Sequence, residues 1–184
     1  MDKPEFRRRI TAAAAALDAD YIKESDRGIF EKLLRLPEYR SARRVFSYYS
    51  FGREPDTHAL ICRARSDGKI TALPRMLPDG GLEHREIFSE DEPVPGPFGL
   101  REPPVTAKAA VPAAGDIIIV PAVAFAEDGF RLGRGGGYYD RFLEKCPAFT
   151  VGLAREMLLC ESVPVEPHDI RVNCIVTEKR VLRF

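Results

Sequence analysis

The sequence predicts an α/β fold: a single three-layer α/β/α sandwich with a largely parallel central sheet, formed as one domain over residues 1–184. Three observations predict it. Helical and strand-like patterns alternate along the chain. The run Ile117-Ile118-Ile119-Val120 is continuously β-branched, as in a parallel strand covered on both faces. The length of 184 residues suffices for one hydrophobic core without disulfides or a structural metal. In such sheets ligands bind at the carboxyl ends of the strands.

The elements follow in order. Pro4–Leu17 is rich in helix formers, with Asp2 as a cap and Pro4 suited to the first turn. Tyr21, Ile22, Ile29, Phe30, Leu33 and Leu34 give one apolar face to a helix over about 20–36, which Pro37 ends. These two helices are expected to pair. Val45–Tyr49 and Lys69–Leu73 read as strands joined by a helix from Asp56 to Arg65, a β-α-β unit. Leu82–Phe88 is a shorter strand. Pro93, Pro95, Pro97, Pro103, Pro104 and Pro112 predict irregular surface chain from there to Gly115, long enough to suggest function or mobility. Asp116–Phe125 contains the central strand, and Tyr138–Cys146 starts a helix. Phe149–Ala154 is a strand, and Arg171–Phe184 supplies one or two closing strands.

Composition narrows the function classes. Lys plus Arg (28) balances Asp plus Glu (28), which argues against bulk attraction to nucleic acid or to a membrane. The clusters Arg7-Arg8-Arg9 and Arg40, Arg43, Arg44 read as solvated helix faces. Cys62, Cys146, Cys160 and Cys174 form no Cys-x-x-Cys pair, and the histidines lack ligand spacing. Reduced, mostly buried thiols in a cytoplasmic protein are expected. The first residues do not resemble a signal peptide, and no apolar run is long enough to span a bilayer.

The chemistry concentrates in Arg131–Asp140, R-L-G-R-G-G-G-Y-Y-D, between the central strand and a helix. Glycines let backbone N–H groups converge on an anion, and the following helix start adds its positive end. Arg131 and Arg134 offer charge-assisted hydrogen bonds to phosphate, and Asp140 offers a carboxylate to magnesium. A flexible turn is the bland alternative, but three consecutive glycines after two arginines cost chain entropy and add no packing. The segment is neither a P-loop nor G-x-G-x-x-G, since no Lys-Ser/Thr follows and Tyr138 stands at the last position. Elsewhere, Lys3 and Arg7 share one helix face at i and i+4, and a solvated pair is as good a reading as a site. Phe51 offers a flat apolar face, and Glu54 or Asp56 a carboxylate, although Asp56 and Thr57 taken alone read as helix caps. Asp169 taken alone reads as a turn carboxylate.

The segment RLGRGGGYYDRFL, preceded by IIIVPAVAF, resembles the signature of the 5-formyltetrahydrofolate cyclo-ligase family. Lys3 with Arg7, YYSFGREPDTHALI, ALPR ending at Arg75, and HDIRVN extend the resemblance over nearly the whole chain. It implies a fold similar to the sugar-phosphate isomerase and CoA-transferase-like sandwich. It also implies ATP-dependent conversion of 5-formyltetrahydrofolate, with or without a polyglutamate tail, to 5,10-methenyltetrahydrofolate by a monomer using magnesium. By that resemblance, Lys3, Arg7, Arg131, Leu132, Gly133, Arg134, Gly135, Gly136, Gly137, Tyr138 and Tyr139 contact ATP, with Arg134 catalytic. Phe51, Glu54, Asp56 and Tyr138 contact the folate, and Asp140 and Asp169 hold the metal. Ala122, Ala126 and Asn173 depart from the family pattern, where Gly, Asp and Asp are usual. A nucleotide-binding homologue without turnover and an isomerase or acyl-transferase relative of the same fold are the alternatives, the latter needing a general-base carboxylate and no ATP.

Overall fold

Asp2 opens the first helix, α1 (Lys3–Ala15), by accepting the Glu5 N–H at 2.8 Å, in a computed structural model that describes residues 1–88 and 93–184. Asp18 opens α2 (Ala19–Arg35) in the same way, accepting from the Asp20 and Tyr21 N–H groups. The short α3 (Pro37–Ser41) follows at once. α1 and α2 do not pair as the sequence suggested. Phe6 and Ile10 of α1 pack on Ala124, Leu132 and Val163, whereas Ile29 and Leu33 of α2 enter the core beside Val45, Ile117 and Val151. The reason is the width of the apolar faces: α1 buries only two residues, and the stripe of α2 is taken up by the sheet.

The central sheet has eight strands. The chain enters it at β1 (Arg44–Phe46), crosses over through α4 (His58–Ser66) and returns parallel in β2 (Ile70–Met76), the predicted β-α-β unit. β3 (Leu82–Ile87) turns back antiparallel on β2. The proline-rich segment expected to be irregular carries three two-residue strands. β4 (Val94–Pro95) pairs with β5 (Arg101–Glu102), and β6 (Ala109–Ala110) closes the sheet edge against β3. Prolines remove ladder donors, which keeps these strands short and at edges.

β7 (Ile117–Val120) ends before Pro121. The 116–125 stretch thus contains the central strand as expected, and its last two residues go on into a separate hairpin of β8 (Ala124–Phe125) and β9 (Arg131–Leu132). Then come α5 (Tyr138–Leu143), β10 (Phe149–Leu153), β11 (Cys174–Val176) and β12 (Val181–Arg183). The order is β12-β11-β10-β7-β1-β2-β3-β6, parallel from β11 to β2 and antiparallel at the edges.

β7 is central, as its composition predicted. Its four residues are all 0% exposed, and they alternate between two clusters. Ile117 and Ile119 face Leu33, Leu60 and the rest of the α2–α4 layer. Ile118 and Val120 face Phe125, Leu143 and Ala148 in the layer of α5 and the hairpin. Each such side chain contributes about 1.5–3 kcal/mol of burial.

The cysteines are all free, but only Cys174 is buried; Cys146 and Cys160 are partly exposed and Cys62 is exposed, because its helix position faces water. No helix among the described residues is long and apolar enough to cross a membrane.

Candidate active site

The loops that leave the carboxyl ends of β1, β7 and β10 meet the amino end of α1. β1 stops at Phe46 rather than Tyr49 because side chains of the next turn claim the backbone. The Thr57 hydroxyl donates to the Tyr48 carbonyl at 2.6 Å and accepts from the Ser50 N–H at 2.9 Å. The released chain forms a tight turn in which the Glu54 N–H donates to the Phe51 carbonyl and the Phe51 N–H donates to Glu54 Oε2. Asp56 behaves as a helix cap: its carboxylate accepts from the His58 and Ala59 N–H groups at the start of α4.

Opposite lies the glycine loop. Gly135 and Gly137 adopt φ of +106° and +64°, backbone that only glycine takes without strain, and a Cβ on Gly137 would also stand 2.8 Å from Arg141 Nη1. α5 spans only Tyr138–Leu143, so the cradle is made more by the loop backbone than by a helix dipole. α1 brings its cations here. Arg7 Nε donates to the Gly133 carbonyl at 2.7 Å, and its guanidinium lies 3.5 Å from where a Gly135 Cβ would stand.

Lys3, one turn earlier, donates to Glu166 at 2.6 Å and to Asp169 at 2.8 Å. Burial works against the Lys3 charge, but its hydrogen bonds to Asp169 and Glu166 outweigh that and leave its pKa above the ordinary value. Asp169 answers in the opposite sense. Burial tends to raise its carboxyl, and the Lys3 ammonium and the Glu166 N–H together hold it below the usual range.

The two arginines of the glycine segment have different surroundings. Arg134 is 57% exposed at its side chain, reaches across to Glu54 Oε1 at 2.8 Å and lies over the Phe51 ring at 4.6 Å. Arg131 is turned inward, only 4% exposed, with its guanidinium held by the Ile170 carbonyl and by Asp140 Oδ1 at 2.8 Å. Burial lowers its pKa, with the Asp140 charge opposing the shift. The side chain of Arg131 thus braces the loop from behind, while that of Arg134 faces solvent and the Phe51–Glu54 turn.

Asp140 accepts the Ile170 N–H as well as Arg131 on Oδ1, and its Oδ2 makes no hydrogen bond among the described residues. Tyr138 lies under the Arg141 guanidinium, and its ring crowds Gly136, where a Cβ would come within 2.6 Å. The Tyr139 hydroxyl is buried without a hydrogen-bond partner among the described residues. Burial raises its pKa, while the charges of Arg131 and Glu54 act on it in opposite senses, so it stands between the two arms of the site. Arg75 fixes the edge of the proline-rich segment by donating to the Pro103 carbonyl at 2.9 Å.

The arrangement joins a glycine loop flanked by cations to a loop with an aromatic face and a carboxylate, and that pairing could accommodate an anion beside a ring system. The profile of the family described as "5-formyltetrahydrofolate cyclo-ligase family" matches residues 1–178. The chain belongs to the 5-formyltetrahydrofolate cyclo-ligase family.

The 5-formyltetrahydrofolate cyclo-ligase of Escherichia coli strain K12 is 33% identical over 172 residues, covering 90% of this chain and 94% of the relative. That of Mycolicibacterium smegmatis is 35% identical over 147 residues, 76% of each chain. Among solved structures, 5,10-methenyltetrahydrofolate synthetase of Aquifex aeolicus superposes with a TM-score of 0.84 at 30% identity, covering 100% of this chain and 93% of that one. The synthetase of Mycoplasma pneumoniae shares the fold, with a TM-score of 0.78 at 20% identity, covering 97% and 99% of the two chains. This cyclo-ligase is therefore an enzyme of folate metabolism with the three-layer fold that its sequence predicted.

The departures from the family pattern fall largely on structure. Ala126 is fully buried and bridged to Cys160, and Asn173 caps the amino ends of β10 and β11 by accepting from the Thr150 N–H and hydroxyl. Asn173 thus lies at the opposite end of the strands from the glycine loop. Sequence reasoning missed Arg155, 2% exposed, which follows β10 and donates to the Glu54 carbonyl. A charged residue directly after a buried parallel strand was the available signal. It also missed Asp26, the ion-pair partner of Arg155, which no pattern in the chain marks out.

Proposed function

We propose that this cyclo-ligase converts 5-formyltetrahydrofolate and ATP to 5,10-methenyltetrahydrofolate, ADP and phosphate. The observation that carries the reading is Arg134, which springs from the glycine loop and touches both Glu54 and Phe51. One flexible cation spans the phosphate arm and the folate arm. The formyl oxygen attacks the γ-phosphorus, and ADP leaves with the bond electrons. The resulting phosphorylated imidate carbon is then attacked by N10, N10 loses its proton, and the C–O bond breaks to release phosphate.

No protein nucleophile is required, so the work of the chain is to align and to neutralise. In this reading Lys3 and Arg7 hold the ATP phosphates, and the backbone of Leu132–Gly137 cradles them from below. Arg134 moves from Glu54 onto the transferring phosphoryl group, whose charge it stabilises in flight. Glu54 then accepts N–H donors of the pterin, whose ring lies between Phe51 and Tyr138. Arg131 and Tyr139 act from within the loop, and Asp56 acts through the cap it gives α4.

The donor set suits magnesium, a hard cation that takes one or two carboxylates together with phosphate oxygens. Asp140, with Oδ2 unengaged, and Asp169, close to Lys3, would hold it, and when bound it supplies charge neutralisation at the phosphates.

The test is direct. Protein mixed with ATP, magnesium and 5-formyltetrahydrofolate is expected to develop the near-ultraviolet absorbance of the methenyl product, and well-folded protein giving no rise overturns the reading. Replacing Asp140 by Asn raises the magnesium concentration needed for half-maximal rate; an unchanged magnesium dependence removes Asp140 from the metal. Because Asp140 also pairs with Arg131, the melting temperature of that variant is read alongside.

A further inference from the structure

The turn that carries Phe51 and Glu54 is pinned at its end by an ion pair between buried Arg155 and half-buried Asp26, which belongs to neither arm of the site. Arg155 is 2% exposed, and its Nη1 meets Asp26 Oδ1 at 2.8 Å, the Ser25 hydroxyl and the Ile22 carbonyl. From the same guanidinium, Nη2 donates to the Glu54 carbonyl at 3.2 Å. Asp26 in turn accepts the Asp56 N–H at 3.1 Å. The pair therefore grips the backbone at Glu54 and again at Asp56, two residues apart, and ties both to α2.

Taking a guanidinium out of water while its Nε stays unpaired is unfavourable. The fold accepts this directly behind the residue whose carboxylate holds Arg134. A hydrophobic contact there would fill the space but would leave the Glu54 carbonyl and the Asp56 N–H without these partners. We propose that Arg155 and Asp26 are positioning residues for the folate: they hold the 51–56 turn so that the Glu54 carboxylate and the Phe51 ring face the glycine loop. Neither touches substrate, and both act through Glu54 and Asp56. The inference rests on the folate reading of that turn.

The test compares Asp26→Asn, Arg155→Lys and the wild type in steady-state kinetics, calorimetric binding of 5-formyltetrahydrofolate and thermal melting. Asparagine keeps the volume and removes the charge; lysine keeps the charge but lacks the fork needed to reach Asp26 and Glu54 together. Each variant is expected to raise the folate KM and Kd about 10-fold while the ATP KM stays within about 2-fold. The double variant is expected to bind folate no more weakly than the worse single one, since both act through one turn.

Equal rises in both KM values, or unchanged folate binding with a lowered melting temperature, overturn the proposal in favour of a purely structural pair. If Arg155→Lys does not fold, Asp26→Asn, whose side chain is 23% exposed, decides the question alone. Wild-type protein that binds no folate refutes the proposed function itself, an outcome distinct from variants that bind as well as wild type.

Discussion

His84 is buried on β3, 1% exposed, between the rings of Phe46 and Phe142, and among the described residues neither of its nitrogens has a hydrogen-bond partner. Burial alone depresses its pKa from 6.5 to about 3. The unfolded chain therefore binds a proton between those values that the folded chain refuses, so stability is whole above pH 6.5 and falls as the pH drops toward 3. The slope from this one residue approaches about 1.4 kcal/mol per pH unit. His84→Leu removes the term, and denaturant midpoints measured from pH 7 to 4 are expected to fall less steeply than in the wild type. At the site, Arg134→Ala is expected to lower kcat by about 10²–10³-fold with only a small change in folate KM, as for a charge engaged mainly in the transition state. An equal loss in both, seen by initial rates, would reassign Arg134 to substrate binding. Lys3, Arg7 and Arg134 were legible as candidates because the signature is long and specific and because helical spacing places Lys3 and Arg7 on one face. Asp26 and His84 were not, since each takes its meaning from neighbours that only the folded chain supplies: Arg155 stands 129 positions beyond Asp26.

Elements were legible where one periodicity governs them. α2 carries an apolar stripe, β7 a continuous β-branched run and β2 its partner through α4, and all three appear where the pattern put them. Boundaries failed where side chains compete with the backbone ladder, as Thr57 does for the chain after β1, and where a proline interrupts, as Pro121 does after β7. The pairing of α1 with α2 failed for a different reason: helix propensity says that α1 forms but not which surface it covers, and two buried residues, Phe6 and Ile10, settle that against the β8–β9 hairpin. That docking matters because the same helix delivers Arg7 to Gly133. The glycine loop is the element most sensitive to a single methyl group. At φ +106° Gly135→Ala is strained by about 1–3 kcal/mol, and the added Cβ faces the Arg7 guanidinium at 3.5 Å. We expect a melting temperature lower by several degrees and a raised ATP KM with little change in folate Kd. A Gly133→Ala comparison, where φ is not positive, a Cβ meets nothing within 4 Å and the backbone N–H is kept, should change ATP binding much less than Gly135→Ala. Equal effects at both positions in paired kinetic and melting experiments would contradict a cradle shaped by backbone conformation.

Across the whole molecule, the site is assembled from parts far apart in sequence: the first turns of α1, the turn after β1, the glycine loop and the 166–169 segment. In the free protein their charges satisfy one another. Lys3 sits on Asp169 and Glu166, and Arg134 sits on Glu54. On the proposed function, ATP draws Arg134 away from Glu54 and the folate takes Glu54 from Arg134, so both ligands break the same ion pair. Whichever binds first spares the second that work, and the linkage is reciprocal. Couplings of this kind are typically about 1–3 kcal/mol, or roughly 5–150-fold in affinity. Thermal melting with a non-hydrolysable ATP analogue and magnesium, with 5-formyltetrahydrofolate, and with both is therefore expected to show a joint stabilisation larger than the sum of the separate ones. Glu54→Gln weakens the pair beforehand, so in that variant the two stabilisations should approach simple addition, although folate binding itself is weaker. Additive shifts in the wild type, or excess stabilisation that survives in Glu54→Gln, would mean that the Arg134–Glu54 contact does not link the two halves of the site.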